Sequence, residues 1–135
     1  MSMLKHGAKK SETVVLVIED EPALVDIYAT KLESDGYHVL TAMDGVAGLD
    51  AAVHDEPAAI LLDIIIPLKN GFDVLRELKD NPKTRHIPVI ILSNLGQDYE
   101  IKQGMALGAS GFLVKANLTP AQVIMEVNKV LHKMK

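Results

Sequence analysis

Asp63 lies in an otherwise apolar segment, LLDIIIPLKNG, which spans residues 61–71. An ionised carboxylate without a partner is costly in apolar surroundings, so such a residue is normally paired, placed at a strand end, or functional. A turn-capping role before Pro67 is the weaker interpretation, because the flanking leucines and isoleucines are poor turn formers. The chemistry of Asp63 therefore depends on which side chains the fold brings to it.

Four other polar side chains also stand at the ends of apolar runs. The first run ends in Glu19 and Asp20, a later one in Ser93, and the last in Lys115. Clustered carboxylates repel each other unless a hard cation neutralises them, and Mg²⁺ is bound by carboxylates, waters and phosphoryl oxygens. A hydroxyl and an ammonium opposite could bind the remaining oxygens of a phosphoryl group. These residue types indicate phosphoryl chemistry, provided that the fold gathers them.

The rest of the sequence alternates between strand and helix patterns. Continuous β-branched runs are typical of strands buried on both faces, and they alternate with segments whose apolar residues recur at helical spacing. The predicted strands are 13–20, 37–42, 58–63, 87–93 and 110–115, and the predicted helices are 21–36, 44–57, 70–82, 97–109 and 119–135. This alternation predicts an α/β fold, a (βα)5 doubly wound parallel sheet of five strands with helices on both faces.

The carboxyl ends of parallel strands share one edge of the sheet, where ligands bind in open α/β folds. If the first and third strands are neighbours, their ends lie about 5 Å apart. Two or three of the carboxylates at these ends, from Glu19, Asp20 and Asp63, would then share one small pocket. Asp63 would be tolerated in its apolar run because it stands at a strand end beside a metal ion.

Length and composition exclude several classes of protein. The 135 residues, 48% hydrophobic and 24% charged, predict one globular domain over 13–133 after a flexible N-terminal extension over 1–12. No apolar run reaches the roughly 18 residues of a membrane span, and the polar start is unlike a signal peptide, so we expect a cytoplasmic protein. The absence of cysteine excludes thiolate metal sites. The net charge of −4 argues against nucleic acid as a direct partner.

Four motifs occur in order on the predicted strands: the Glu19–Asp20 pair, the segment LLDIIIPLKNG, the hydroxyl of VIILSN and the segment GASGFLVK. Together they closely resemble the receiver domain of bacterial two-component response regulators, over nearly the whole of residues 13–133. The resemblance implies the flavodoxin-like strand order 2-1-3-4-5. It also implies a phospho-accepting regulatory domain rather than an enzyme.

The resemblance assigns roles to the acidic residues. Asp63 would be the phospho-acceptor, attacking the phosphorus of a phosphohistidine on a sensor histidine kinase or phosphotransfer protein. Mg²⁺ would be held by Asp20 and Asp63, with Glu19 and the backbone carbonyl of Ile65. Phosphoryl transfer needs mainly in-line positioning and charge neutralisation, which such a pocket can supply.

The resemblance also assigns the switch. Lys115 and Ser93 would bind phosphoryl oxygens, and Phe112 would be the aromatic residue whose rotation accompanies movement of Ser93. Phosphorylation would then change partner binding through the face formed by the fourth helix, the fifth strand and the fifth helix. The downstream partner is unknown, and a homodimer is one option.

Three features depart from the family pattern. Ala116 replaces the usual proline after the lysine, which predicts a trans bond because a non-proline cis bond costs about 2.5–4 kcal/mol. Asn94 is larger than the usual residue after the hydroxyl, and could crowd the pocket or hydrogen-bond the phosphoryl group. Ile65 and Leu95 flank the path of the hydrolytic water and are both apolar, which predicts slow autodephosphorylation.

Other interpretations compete. A phosphorylation-independent scaffold is disfavoured by the intact set of site residues. A flavodoxin-like cofactor binder would need glycines and hydroxyls after the first strand, where IEDEPAL presents three acids. A phosphatase with an aspartyl intermediate commonly needs a second acid at the position of Ile65. The charge of Asp20 could instead only stabilise the N-terminus of the next helix through its dipole, and for Glu21 this is the better interpretation. Phe112 could be a packed core aromatic.

Overall fold

The computed structural model describes residues 13–133, which alternate between strands and helices. The strands are β1 (Val14–Ile18), β2 (His38–Ala42), β3 (Ala59–Leu62), β4 (Val89–Ser93) and β5 (Gly111–Val114). The helices are α1 (Pro22–Ser34), α2 (Gly45–Asp55), α3 (Gly71–Asp80), α4 (Asp98–Ala106) and α5 (Pro120–Lys133). The predicted extension over residues 1–12 lies outside the described residues.

All strand pairs are parallel, and the sheet order is β2-β1-β3-β4-β5. The predicted fold and strand order are therefore confirmed. The wholly apolar strand β3 lies at the centre, where all four of its residues are buried. The more polar β2 and the short β5 lie at the edges, where burial is only partial.

The core has two layers because successive strand residues point to opposite faces of the sheet. One layer packs against α2 and α3 and includes Ile18, Ile60, Leu62, Ala52, Leu75 and Leu78. The other packs against α1 and α5 and includes Val17, Leu61, Leu92, Tyr28, Leu32 and Val127. Residues 19, 63 and 115 directly follow β1, β3 and β5. By the same alternation, their side chains lie on the face of the sheet that carries the second layer, toward α1 and α5.

Two glycines let the loop after β3 lie close to the N-termini of α2, which precedes β3, and α3, which follows it. A Cβ at Gly45 would lie 1.9 Å from the carbonyl oxygen of Lys69, and the Gly45 N–H donates to the Pro67 carbonyl at 3.0 Å. A Cβ at Gly71 would lie 2.5 Å from the carbonyl oxygen of Asp63. These close approaches hold the β3–α3 loop in place beside Asp63.

The element boundaries differ from the predicted ones by up to three residues. Lys115, predicted at the end of the last strand, instead begins a 3₁₀ turn (Lys115–Asn117) directly after β5. Residues 13–133 contain no cis peptide bond, so the predicted trans bond before Ala116 is confirmed. In the same range, no helix combines the length and apolar character needed to cross a membrane.

Candidate functional site

The two buried carboxylates of the site are placed by the ladder between β1 and β3. Ile18 pairs with Leu62, so Glu19 and Asp63 leave the sheet side by side. The Asp63 N–H donates to the Ile18 carbonyl at 3.0 Å, and this bond extends the ladder past the strand ends. Glu19 is 2% exposed and Asp63 is 5% exposed. The backbone therefore fixes both acids where water is largely excluded.

Asp20 completes an acidic group with these two residues. Glu19, Asp20 and Asp63 each offer a carboxylate oxygen, and the three oxygens lie within 4.8 Å of one another. The sequence prediction that these acids meet in one pocket is thus confirmed. A set of three carboxylates fits the preference of Mg²⁺ for hard oxygen ligands.

Lys115 provides the cation of the site. Its Nζ lies 2.7 Å from Glu19 Oε1 and 2.7 Å from Asp63 Oδ2, with Glu21 Oε1 at 3.7 Å. Burial by itself lowers the pKa of the ammonium, but hydrogen bonds to Asp63 and Glu19 outweigh burial and raise that pKa above its ordinary value. Lys115 is therefore positively charged at neutral pH.

Glu19 is the most constrained acid of the pocket. Its Oε1 contacts Lys115, and its Oε2 accepts the N–H of Glu21 at 3.2 Å. Burial raises the pKa of the Glu19 carboxyl, against the lowering effect of Lys115. Glu19, Asp20 and Asp63 together with Lys115 have a formal charge of −3 + 1 = −2, and the carboxylate of Glu21, 3.7 Å from Lys115, adds further negative charge. The pocket therefore has the charge that attracts a divalent cation.

Ser93 ends β4, the strand beside β3, and is fully buried. Its Oγ accepts the N–H of Leu95 at 3.3 Å, which fixes the hydroxyl at the start of the β4–α4 loop. Asn94 is exposed, and its predicted effect on the phosphoryl group stays a prediction.

Ile65 and Leu95 are the two apolar residues predicted to flank the path of the hydrolytic water, and this role stays a prediction. Ile65 is 60% exposed, and its N–H donates to Asp63 Oδ1 at 3.2 Å. Leu95 is half-buried. Neither side chain offers a polar group to a water molecule above Asp63.

Phe112 lies on β5 and is half-buried. It packs against α4 at Gly104, where an added Cβ would lie 3.0 Å from the phenyl ring and 2.7 Å from the Ile91 side chain. The ring therefore couples β5 to α4, and a role as a switch stays a prediction.

Tyr28, on the buried face of α1, is a site neighbour that the motifs in the sequence did not reveal. It is 4% exposed and lines, with Glu19 and Asp63, a recess too narrow to admit a water molecule. The only feature of the sequence that could have indicated this position is its phenol, on a helix face that otherwise consists of apolar residues.

Comparison with known proteins agrees with this geometry. The family model of the response regulator receiver domain matches residues 15–128. The chain belongs to the response regulator receiver domain family. The response regulator PleD of Caulobacter vibrioides is 46% identical over 101 residues, which are 75% of this chain and 22% of PleD. The DNA-binding dual master transcriptional regulator RpaA of Synechocystis is 40% identical over 101 residues, 75% of this chain and 42% of RpaA.

Solved structures give the same result. The receiver domain of the Francisella response regulator 1452 matches with a TM-score of 0.84 and 27% identity, covering 92% of this chain and all of that one (100%). The chemotaxis protein CheY4 of Vibrio cholerae matches with a TM-score of 0.81 and 25% identity, covering 87% of this chain and 98% of CheY4. This chain is thus a receiver domain, and it spans well under half the length of PleD and RpaA. Receiver domains serve phospho-acceptor signalling between histidine kinases or phosphotransfer proteins and downstream effectors.

Proposed function

We propose that this receiver domain takes a phosphoryl group onto Asp63 from a phosphohistidine of a histidine kinase or phosphotransfer protein, with Mg²⁺ as cofactor. One observation carries the proposal. The buried carboxylate of Asp63 lies 2.7 Å from the ammonium of Lys115 and shares a 4.8 Å group of oxygens with Glu19 and Asp20. This arrangement supports the roles of Asp63 as nucleophile, Lys115 as its counter-ion and the three acids as ligands of a cation.

The chain's own residues account for the transfer step. A carboxylate oxygen of Asp63 forms a bond to phosphorus as the phosphorus–nitrogen bond of the donor breaks, and the electron pair goes to the imidazole nitrogen. The ammonium of Lys115, already at Asp63 Oδ2, and the hydroxyl of Ser93 bind the other phosphoryl oxygens. Such positioned charges and donors are the main source of rate enhancement in phosphoryl transfer.

Glu19, Asp20, Asp63 and the backbone carbonyl of Ile65 would hold the Mg²⁺ ion. The ion, when bound, neutralises negative charge on the phosphoryl oxygens. The formal charge of −2 within the cluster supports this assignment, because Lys115 balances only one of three carboxylates.

The signal would leave the site through Ser93 and Phe112. Because Phe112 touches α4 at Gly104, a change in its rotamer would alter the packing of α4 on β5. We infer that phosphorylation shifts a two-state equilibrium of the α4–β5–α5 face, which then binds a downstream protein or a second copy of this chain. The domain would act in the cytoplasm as a regulator rather than as an enzyme.

Intact mass spectrometry after incubation with acetyl phosphate or phosphoramidate tests this function. With Mg²⁺, the wild type should gain one phosphoryl group, and Asp63→Asn should gain none. Asp50→Asn is the matched control, because Asp50 is an exposed aspartate on α2 and should leave the adduct unchanged. A folded wild type that gains no phosphoryl group would contradict the proposal and favour a phosphorylation-independent scaffold.

A further inference from the structure

Glu21 lies beside the site but has no part in the proposed transfer step. It is the N-cap residue of α1, and its side chain makes no capping hydrogen bond to that helix. Its N–H donates to Glu19 Oε2 at 3.2 Å, which fixes its backbone at the edge of the site. Its Oε1 lies 3.7 Å from the Nζ of Lys115. The carboxylate is therefore placed at the site rather than used to cap α1.

Exposure distinguishes Glu21 from the other charged groups around Asp63. The side chain of Glu21 is 63% exposed, whereas that of Lys115 is 9% exposed. Glu19 and Asp63 are buried as well. A phosphodonor that arrives from water therefore meets the negative charge of Glu21 before it reaches the buried ammonium.

The loops between each strand and the next helix add to this negative charge. They contain five acids, two lysines and no arginine or histidine: Glu19, Asp20, Glu21, Asp44, Asp63, Lys69 and Lys115. Lys69 is paired with Glu77 of α3, so it does not offset the acids of the site. A divalent cation would compensate for the formal charge of −2 of the acid cluster with Lys115. The charge of Glu21 would then remain without compensation.

Small phosphodonors are anions that differ in charge. Acetyl phosphate is a dianion at neutral pH, and phosphoramidate, whose amine is protonated, has a single net negative charge. Like charges repel in proportion to the product of the charges, and dissolved salt screens this repulsion. A free donor brings no cation of its own, whereas a protein can place a lysine or an arginine beside its phosphohistidine.

We propose that Glu21 is a specificity-determining residue, whose exposed carboxylate disfavours free anionic phosphodonors at Asp63. Efficient phosphorylation then depends on a donor protein that presents a basic side chain opposite Glu21. The carboxylate acts through its charge on the approaching donor and takes no part in making or breaking a bond. This inference rests on the proposed function, since it requires transfer to Asp63.

Three variants test the charge of this side chain. Glu21→Gln removes the charge and nearly keeps the shape, and Glu21→Asp keeps the charge. Glu33→Gln is the matched control, because it removes the same charge from an exposed position about 18 Å farther along α1. Intact mass spectrometry at limiting donor gives the rate constant of phosphorylation with acetyl phosphate and with phosphoramidate. Thermal unfolding at increasing Mg²⁺ gives the Mg²⁺ concentration that saturates each protein, and all rates are measured there.

The expected effect follows the charge of the donor. Glu21→Gln should react about fivefold faster than the wild type with acetyl phosphate and about twofold faster with phosphoramidate, because the logarithm of the effect is proportional to donor charge. In about 1 M salt, where the Debye length is about 3 Å, both differences should disappear. Glu21→Asp and Glu33→Gln should have wild-type rate constants with both donors.

Three results would overturn the inference. Wild-type rate constants for Glu21→Gln would show that its charge does not act on the donor. An equal increase with both donors, unchanged by salt, would mean that Glu21 acts by holding Lys115. An equal increase in Glu33→Gln would assign the effect to the net charge of the chain. Each of these leaves the proposed function intact, whereas a wild type that is phosphorylated by neither donor would overturn both.

Discussion

Two partly buried lysines lie at opposite edges of the sheet and use different partners. At the carboxyl edge, where the strands end, Lys115 binds the carboxylates of Glu19 and Asp63, at 2.7 Å each. At the amino edge, before β4, Lys79 donates to the backbone carbonyls of Arg85 at 3.0 Å and Ile87 at 2.8 Å. Carboxylates and carbonyls both accept hydrogen bonds, but only carboxylates carry charge.

The choice of partner separates a binding site from a structural contact. Burial lowers the pKa of Lys79, because neutral carbonyls do not compensate for lost hydration as carboxylates do. The pKa of Lys115 is raised instead, despite burial. Beside Lys79, the buried Thr84 hydroxyl donates to the Leu78 carbonyl at 2.7 Å, so the amino edge satisfies its polar groups internally. The carboxyl edge keeps excess negative charge and is ready for a ligand.

Replacing the charged lysine should give the largest effect. Lys115→Met leaves Glu19 and Asp63 buried without their cation, which should cost about 3 kcal/mol of unfolding free energy. The rate of phosphorylation by acetyl phosphate should fall about 100-fold, as for the loss of a key transition-state donor. Urea unfolding and intact mass spectrometry measure the two quantities.

Lys79→Met is the matched control for this variant. It removes the amino-edge ammonium, so it should lower stability while phosphorylation stays at the wild-type rate. Mg²⁺ should stabilise Lys115→Met more than the wild type, because three carboxylates are then without a cation. Equal Mg²⁺ stabilisation of both proteins would contradict the view that Lys115 competes for these oxygens.

Thr84→Val tests the amino edge with a change of similar shape. The Leu78 carbonyl loses its buried donor, so the free energy of unfolding should fall by about 2 kcal/mol. Phosphorylation should not change, since Thr84 is at the opposite edge from Asp63. Thr30→Val, at an exposed position of α1, should leave the urea midpoint nearly unchanged. A phosphorylation defect in Thr84→Val would show that the two edges are coupled.

The carboxyl edge was largely predictable from the sequence, and the reason is the alternation of elements. Once the strands are parallel, residues that directly follow them must share one edge, so Glu19, Asp20 and Asp63 had to meet. Ser93 and Lys115 are placed by the same argument. Strands β1, β3 and β5 end one or two residues earlier than predicted, and at Lys115 a 3₁₀ turn begins where the sequence predicted continued strand.

Contacts between residues far apart in the sequence were not predictable. Gly45 lowers the helix propensity of α2, and the sequence gives no hint that a Cβ there would collide with the Lys69 carbonyl. Nor does helical spacing show that Tyr28 lines a recess with Glu19 and Asp63, since the same spacing describes any core residue. The bonds of Lys79 to the backbone are equally invisible, because a lysine at a helix end usually lies in solvent.

Ile65→Asn tests the chemistry of the carboxyl edge without changing its charges. Because Ile65 is 60% exposed, stability should hardly change. An amide at this position can orient the hydrolytic water, so the half-life of phosphorylated Asp63 should shorten about tenfold, equivalent to about 1.4 kcal/mol of activation free energy. Leu95→Glu should act in the same direction. Phosphate release over time gives both half-lives.

Leu68→Asn is the control for this experiment. Leu68 lies in the same loop, is 78% exposed and has a φ of 70°, a conformation that asparagine tolerates. The half-life should therefore equal that of the wild type. If neither Ile65→Asn nor Leu95→Glu shortens the half-life, the prediction of slow autodephosphorylation is wrong.

At alkaline pH, the contributions of the two lysines to the free energy of unfolding should change with pH in opposite directions. This is the smallest of the expected effects. Between the lowered pKa of Lys79 and 10.5, the unfolded chain binds the proton that the folded protein has released, so the contribution of Lys79 to stability rises with pH. Above 10.5, the folded protein retains the proton on Lys115 that the unfolded chain loses, so its contribution falls with pH. Urea unfolding from pH 8 to about pH 11 should show the rise missing in Lys79→Met and the fall missing in Lys115→Met. If the free energy of unfolding changed with pH by the same slope in both variants, carboxylate and carbonyl partners would be equivalent for a buried ammonium, and the two edges would not differ in this respect.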